Sequence, residues 1–413
     1  MILAEYGMEF LRRKLNSKRT RVLLRYRYYD MKNHVQEVKG VIPERFKGVA
    51  YSLGWCAKAV DVLSDRLTFD SFDHDDFFLN EIFRLNNSDI LFGSANLSAL
   101  IASCSFLYIG RDADGYPSIQ VIDGGSATGI IDPVTYMLTE GYAVLRRDEN
   151  DKPTLEAYFR PGMTEYYENG KRTEVLTHKA PYALLVPVIY RPDAKRPFGH
   201  SRISRACMDI VQGVIRTMRR AEVSAEFYSF PQRYVLGLSE DAAQIEGDNK
   251  VNAAMSAFLD FRQDAQGGHP TVGQFAQQSM APFTEQLRMF ASVFAGETGL
   301  TPDDLGFSTD NPASSDAIRA SHEDLRLTAR RAQRTFGVGY LNAGYLAACV
   351  RDDYAYRRTA FADTRPLWMP IFEPDAAGLA SIGDAILKMN QASEGFLGEK
   401  NIKLLTGLES DAQ

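Results

Sequence analysis

The most regular amphipathic pattern in the chain is ISRACMDIVQGVIRTMRRAEVSAEFY, which spans residues 203–228. Its apolar residues recur at intervals of three and four, at Ile203, Cys207, Ile210, Val214, Met218, Ala221, Ala225 and Tyr228. This spacing predicts one amphipathic helix of about seven turns, roughly 40 Å long. The opposite face is polar and carries Arg205, Asp209, Gln212, Arg216, Arg219 and Glu226. Pro231 is predicted to end the helix.

A second long helix is predicted from Ser315 to about Arg351. Its apolar stripe is Leu325, Ala329, Ala332 and Phe336, and its charged face is Arg319, Glu323, Arg326, Arg330 and Arg334. Gly337 and Gly339 predict a kink, and together with Gly344 they predict close packing. Shorter helical patterns cover residues 4–15, 48–68, 77–104, 282–297 and 375–408.

Between Ser105 and about Val188 the period changes from helical to alternating. Short runs such as FLYIG, SIQVID and LEAYFR are separated by Gly, Pro, Asp and Asn, which is typical of antiparallel strands. Asp114-Gly115 and Asn169-Gly170 predict hairpin turns within this region. The chain is therefore expected to have an α+β fold.

The charge of the chain is unevenly distributed. The whole sequence of 413 residues carries a net charge of −6, which excludes a uniformly basic nucleic-acid-binding surface. The first fifty residues hold 12 Lys/Arg against 5 Asp/Glu, so they are +7 and the remaining 363 are −13. We therefore expect a basic N-terminal patch on an acidic body.

Two further features of the sequence limit the class of protein to which the chain can belong. The four cysteines, Cys56, Cys104, Cys207 and Cys349, are widely spaced, which excludes a disulfide scaffold and a cysteine-rich zinc site. The uncharged run Ile90–Gly110 is long enough to cross a membrane, but it contains Asn96, serines and glycines. A buried helix followed by a strand is the preferred interpretation, and no membrane partner is expected.

Motifs for catalysis are mostly absent. The sequence has no GxGxxG after a strand, no GxxxxGK[ST] and no GxSxG. Asp73-His74-Asp75-Asp76 supplies possible metal ligands, but a solvated turn is preferred because no spaced partner completes the ligand set. Asp112-x-Asp114-Gly115 resembles the start of a calcium loop, although a hairpin turn is the better interpretation. His322 is expected to be a solvated helix residue rather than a base.

Three ordered segments resemble the portal (head-to-tail connector) proteins of long-tailed bacteriophages. The first is Arg27-Tyr28-Tyr29, followed by a helix around residues 59–67. The second is Pro187-Val188 before Phe198-Gly199-x-Ser201-x-Ile203, which leads into the long helix. The third is TGLTPDDLG, residues 298–306, followed by NPASSDAI, residues 311–318. Each segment alone is weakly specific, whereas the ordered set is fairly specific.

The resemblance implies an elongated, portal-like subunit with a helical and β-rich wing, a two-helix stem, a small clip and a reduced C-terminal crown. Carried over by position, the expected parts are the wing (1–200), the first stem helix (201–230), the clip (231–281), the second stem helix (282–298), the tunnel loop (299–315), the long wing helix with its returning strand (316–374), and the crown (375–413).

The resemblance also implies which residues face the channel. For the tunnel loop these are Asp303, Asp304, Phe307, Ser308, Thr309, Asp310 and Asn311. On the first stem helix, five charged residues are interpreted as inter-subunit ion pairs or as weak phosphate contacts, with ion pairs favoured: Arg216, Arg219, Arg220, Glu222 and Glu226. Independently of the resemblance, Thr301-Pro302-Asp303-Asp304 is a plausible helix start, with Thr as the cap and acid in the first turn.

The function implied is a ring of subunits, a dodecamer in most of the family, at one capsid vertex of the virion. Such a ring passes double-stranded DNA during packaging, retention and ejection. It docks terminase, neck or adaptor proteins, and the major capsid and scaffold proteins, and it is made in the bacterial host cytoplasm. No catalytic residue, metal or cofactor is expected. The alternative is a metal-dependent nucleic-acid hydrolase that uses the residue 73–76 cluster.

Overall fold

The computed structural model describes residues 6–33, 51–229, 233–236, 271–274, 279–307, 320–372, 374 and 376–408. The chain divides into two units. The first comprises Met1–Asn33, Gly54–Met208 and Ala295–Gln413, and the second comprises His34–Leu53 and Asp209–Phe294.

The elements of the described residues are numbered here in chain order. The helices are α1 (Met8–Tyr29), α2 (Trp55–Ser64), α3 (Leu79–Leu85), α4 (Ser88–Ala102), α5 (Arg205–Ser229), α6 (Ala281–Thr298), α7 (Glu323–Arg351), α8 (Ala376–Ala392) and α9 (Glu399–Thr406). The strands are β1 (Phe69–Asp73), β2 (Cys104–Arg111), β3 (Pro117–Asp123), β4 (Ala127–Ile131), β5 (Leu138–Arg147), β6 (Pro153–Arg160), β7 (Met163–Glu168), β8 (Lys171–Thr177), β9 (Leu185–Ile189), β10 (Arg233–Leu236), β11 (Thr271–Gln274) and β12 (Arg365–Trp368).

The β-rich middle of the sequence folds into two antiparallel sheets, as predicted. One sheet has the order β3-β2-β9, and the other is a five-stranded meander, β4-β5-β6-β7-β8. Asp114-Gly115 turns the chain between β2 and β3, and Asn169-Gly170 joins β7 to β8. Both residues of the second pair have positive φ, 49° and 79°, as a tight hairpin turn requires. Two shorter pairs, β1-β12 and β10-β11, complete the sheets of the described residues.

Helix α1 is longer than the predicted helix over residues 4–15, because it continues through the basic, tyrosine-rich stretch to Tyr29. Leu11, Leu15 and Val22 lie on one face and are buried. Leu11 and Leu15 pack against Tyr142 and Tyr158 of the five-stranded sheet. The stripe is hard to see in the sequence, because exposed cations such as Arg13, Lys18 and Arg21 stand between its apolar residues.

The predicted helix over residues 77–104 is wrong as one element, since it breaks into α3 and α4 at Asn86 and Asn87. Asn87 has a φ of 54°, outside the helical region. The side chain of Asn86 accepts a hydrogen bond from Ile119 N at 2.7 Å and donates to the carbonyl of Pro117 at 3.0 Å. The helix therefore breaks where a side chain bonds to β3. The uncharged run from Ile90 becomes α4 followed by β2, and no described helix is long and apolar enough to cross a membrane.

Helix α7 packs against β9 and β12, and its glycines permit that contact. A Cβ on Gly337 would lie 2.7 Å from Pro366, and one on Gly339 would lie 3.1 Å from the carbonyl oxygen of Pro187. A Cβ on Gly344 would likewise lie 2.9 Å from the side chain of Leu79. The predicted close-packing role of the three glycines is confirmed.

Candidate functional site

The predicted first stem helix begins at a cap made by serines. Ser204 Oγ accepts a hydrogen bond from Cys207 N at 3.1 Å and donates to Glu297 at 3.0 Å. Ser201 Oγ accepts from Ile203 N at 3.0 Å and donates to the carbonyl of Ile101 at 2.6 Å. A serine cap satisfies backbone N–H groups that a helix start leaves unpaired. The start of α5 is thus fixed to α4.

The turn before this cap has no space for a side chain. Gly199 has a φ of 73°, and a Cβ there would lie 2.9 Å from Ile189 and overlap the carbonyl oxygen of Tyr190. The same carbonyl accepts a hydrogen bond from His200 N at 2.9 Å. Strand β9 and the chain leading to α5 are therefore held together by backbone contacts, and glycine is needed for both space and φ.

Arg202 is a functional candidate that the sequence analysis missed. Its side chain is buried, and the guanidinium donates to the carbonyl of Ala59 at 3.2 Å and to the carbonyl of Thr298. Thr298 is the last residue of α6, where a cation offsets the partial negative charge of the helix end. Arg202 thus ties α2 to the end of α6. The only signal in the sequence was a cation next to a helix start.

In the second unit, the predicted two stem helices form an antiparallel pair. Gly213 of α5 lies against the ring of Phe290 of α6, where a Cβ would come within 2.9 Å. One turn further along α5, Thr217 Oγ1 donates to Gln286 Oε1 at 3.1 Å. Residue numbers rise along one helix as they fall along the other. These contacts place the two helices side by side.

The five stem residues singled out from the sequence have different exposures. Arg220, Glu222 and Glu226 are exposed, Arg216 is half-buried, and Arg219 is only 8% exposed. The spacing placed Arg219 on the polar face of the helix, and the structure corrects this, because the helix turns that position inward. Glu222 accepts a hydrogen bond from the hydroxyl of Tyr51, which with burial raises the pKa of that tyrosine.

The first part of the predicted tunnel loop is a rigid, capped turn. Thr301 N and Oγ1 each donate to Asp304 Oδ2 at 2.9 Å, and Asp304 N donates back to Thr301 Oγ1 at 3.2 Å. These reciprocal bonds are a capping box, and they confirm Thr301 as the predicted cap. Gly306 then reverses the chain with a φ of 89°.

The turn is anchored by two apolar side chains. Leu305 is buried, and the ring of Phe307 meets the ring of Trp55 edge-on at 6.4 Å. Asp303 is exposed, whereas Asp304 is half-buried because it forms the cap. The other predicted loop residues, Ser308, Thr309, Asp310 and Asn311, lie outside the described residues. Residues 299–307 therefore form a fixed base from which the rest of the loop departs.

Two of the four possible metal ligands at residues 73–76 have structural partners. Asp75 accepts hydrogen bonds from Leu79 N and Asn80 N, both at 2.7 Å, and so caps the start of α3. Asp73 is bonded to Lys400 of α9, and this contact lowers the pKa of its carboxyl group. Within the described ranges, no three His, Cys, Asp or Glu side chains come together as a metal site. The cluster connects elements of the fold.

Comparison with known proteins adds three findings. The family model described as "Phage portal protein, SPP1 Gp6-like" matches residues 9–342. The portal protein of Mycobacterium phage D29 is 24% identical over 397 residues, which cover 90% of this chain and 79% of that protein. The portal protein of Mycobacterium phage L5 is 23% identical over 407 residues, with 92% and 81% coverage.

Among solved structures, a chain of a gene transfer agent virion aligns with a TM-score of 0.47 and 12% identity. The alignment covers 94% of this chain and 99% of that chain.

Proposed function

The chain belongs to the SPP1 Gp6-like family of phage portal proteins, and from that premise we propose that its copies close into a ring around an axial channel for double-stranded DNA. The family match over residues 9–342 is the observation that carries the proposal, because it includes α5, α6 and the predicted tunnel loop. The ring occupies one capsid vertex of the virion and is a dodecamer. Its partners are terminase, the capsid and scaffold proteins, and the neck proteins.

The antiparallel pair of α5 and α6 supports a stem in this ring. The contacts Gly213–Phe290 and Thr217–Gln286 bring the helices together without using the exposed residues Arg220, Glu222 and Glu226. The exposed charges of Arg220 and Glu226 are available to a neighbouring subunit, whereas Glu222 also accepts a hydrogen bond from Tyr51. Ion pairs with a neighbour are preferred over phosphate contacts for these residues.

The charge of the tunnel loop suits the passage of DNA. Residues 299–311 contain Asp303, Asp304 and Asp310 and no Lys or Arg. Each Lys or Arg that contacts a phosphate strengthens DNA binding in a salt-dependent way. A loop of net charge −3 without cations adds no such contacts and therefore lets DNA slide. The capping box and the Phe307–Trp55 contact give this loop a rigid base. Catalysis is not part of the proposed role, and neither a metal nor a cofactor is required.

The loop charge can be tested without disturbing the cap. Asp303→Lys changes an exposed residue that does not form the Thr301–Asp304 bonds. We expect rings of normal mass but lower DNA packaging, because every subunit adds a cation at the constriction. Asp363→Lys is the matched control, since Asp363 is also exposed but lies far along the chain, before β12.

The assay is packaging of phage DNA into proheads that carry each variant, measured as nuclease-protected DNA. Reduced packaging with Asp303→Lys and normal packaging with Asp363→Lys supports the proposal. Equal packaging by both variants would contradict the placement of this loop in the channel.

A further inference from the structure

A pocket lies on the exposed side of α7, outside the elements assigned to the channel. It has a volume of about 270 Å³ and is lined by Arg330, Gln333 and Arg334 of α7 and by Pro366 and Trp368 of β12. The floor is firm, because the ring of Trp368 packs against Phe69 and Tyr340. The pocket is therefore a preformed depression with two guanidinium groups at its edge.

Helix α7 contributes three polar side chains to this pocket, and each carries hydrogen-bond donors. Gln333 Nε2 is shielded from solvent and has no hydrogen-bond partner among the described residues. Arg330 and Arg334 are exposed, and neither forms an ion pair within the described part of the chain. One turn earlier, by contrast, Arg326 is bonded to Glu323 at 2.7 Å. Glu323 is thus bonded directly to Arg326, whereas Arg330 and Arg334 present exposed guanidinium groups at the pocket.

Two guanidinium groups and an unpaired amide N–H fit an anion with two acceptor oxygens. A buried donor without a partner costs free energy, so a ligand that supplies an acceptor here is favoured. A carboxylate and a phosphate share this chemistry. The charge of the rest of the molecule favours a protein carboxylate over a phosphate, because residues 51–413 carry a net charge of −13.

We propose that this pocket receives an acidic side chain from a second copy of the chain and so joins neighbouring subunits of the ring. The inference rests on the proposed function, since it needs the copies to lie side by side. An unpaired basic pocket on a strongly acidic body is complementary to the body of the next copy. DNA is disfavoured as the occupant, because a phosphate bound by both Arg330 and Arg334 would slow the movement of DNA through the channel.

The first test compares charge reversal inside and outside the pocket. Arg330→Glu with Arg334→Glu is expected to lower the salt concentration at which rings dissociate by about twofold or more. Arg331→Glu is the matched control, because Arg331 is exposed on the same helix but does not line the pocket. Equal ring stability in both variants overturns the inference. Failure of the wild-type protein to form rings instead overturns the proposed function.

The second test keeps the charge and so avoids a folding defect. Rings are assembled from a mixture of ¹⁴N- and ¹⁵N-labelled Arg334→Lys protein and treated with a carbodiimide, which joins the new amine to a touching carboxylate. Cross-linked peptides that carry both labels support a contact between copies. Cross-links of a single label only would overturn it. Loss of duplex DNA binding in the Arg330/Arg334 variant, with ring stability unchanged, would assign the pocket to nucleic acid.

Discussion

Substitution of Gly199 by alanine tests how the first stem helix is joined to β9. The new Cβ would meet Ile189 and the carbonyl oxygen of Tyr190, at a φ of 73°. The left-handed conformation alone costs an alanine roughly 1–2 kcal/mol. The turn must open to relieve this overlap, and opening it breaks two hydrogen bonds. These are the bond from Gly199 N to Arg196 O at 2.8 Å and the bond from His200 N to Tyr190 O at 2.9 Å. At about 1 kcal/mol each, the total is about 3–4 kcal/mol.

Gly306→Ala is the matched control for this substitution. Gly306 has a φ of 89°, but a Cβ there would have no atom within 4 Å. Only the cost of the left-handed conformation then applies, about 1–2 kcal/mol. The difference between the two variants isolates the contact with Tyr190 and should be about 2 kcal/mol.

Tryptophan fluorescence during urea unfolding measures this difference. Both tryptophans of the chain, Trp55 and Trp368, lie in the first unit, which also contains Gly199 and Gly306. The fluorescence therefore reports the unit in which the substitutions are made. A difference below about 1 kcal/mol between the two variants, from midpoints at equal slope, would refute the description of the Gly199 turn.

Three further predictions concern the loop, the stem and a buried histidine. Deletion of Phe307 to Asn311 should leave ring mass unchanged and impair DNA packaging or retention, and loss of rings would show that the loop is structural. Replacement of the exposed Arg220 and Glu222 together by glutamine should lower ring mass at moderate salt without altering circular dichroism, and unchanged ring mass would argue against their ion-pair role. Burial and the nearby Arg111 lower the pKa of His178 to about 4, below about 6.5 in the unfolded chain. The contribution of neutral His178 to the free energy of unfolding is complete above pH 6.5, and it is lost as the pH falls towards 4, by at most about 1.4 kcal/mol per pH unit. His178→Leu should flatten the pH dependence of the free energy of unfolding measured in urea. An unchanged pH dependence would contradict the low pKa of His178.

Local patterns predicted much of the fold. The alternation over residues 105–188 and the pair Asn169-Gly170 were sufficient for the antiparallel sheets and a hairpin, because both depend on near neighbours in the sequence. The capped turn at Thr301 was predictable for the same reason, since the cap and its partner Asp304 are three residues apart.

Long-range contacts were harder to predict. The helix break at Asn86 depends on bonds to β3, more than thirty residues away. The role of Arg202 depends on carbonyl groups of Ala59 and Thr298, which no local pattern brings together. Arg219 fits the polar face by spacing, yet it is buried. Such residues depend on which elements pack together, and a helical period does not contain that information.

The most direct test of the central claim is cryo-electron microscopy of the purified protein, alone and with its scaffold and capsid proteins. We expect closed rings of about a dozen copies, with the α5–α6 pair around the central opening and the loop after Phe307 at its narrowest point. Failure to close into rings under both conditions, or a ring whose opening is lined by the five-stranded sheet, would contradict it.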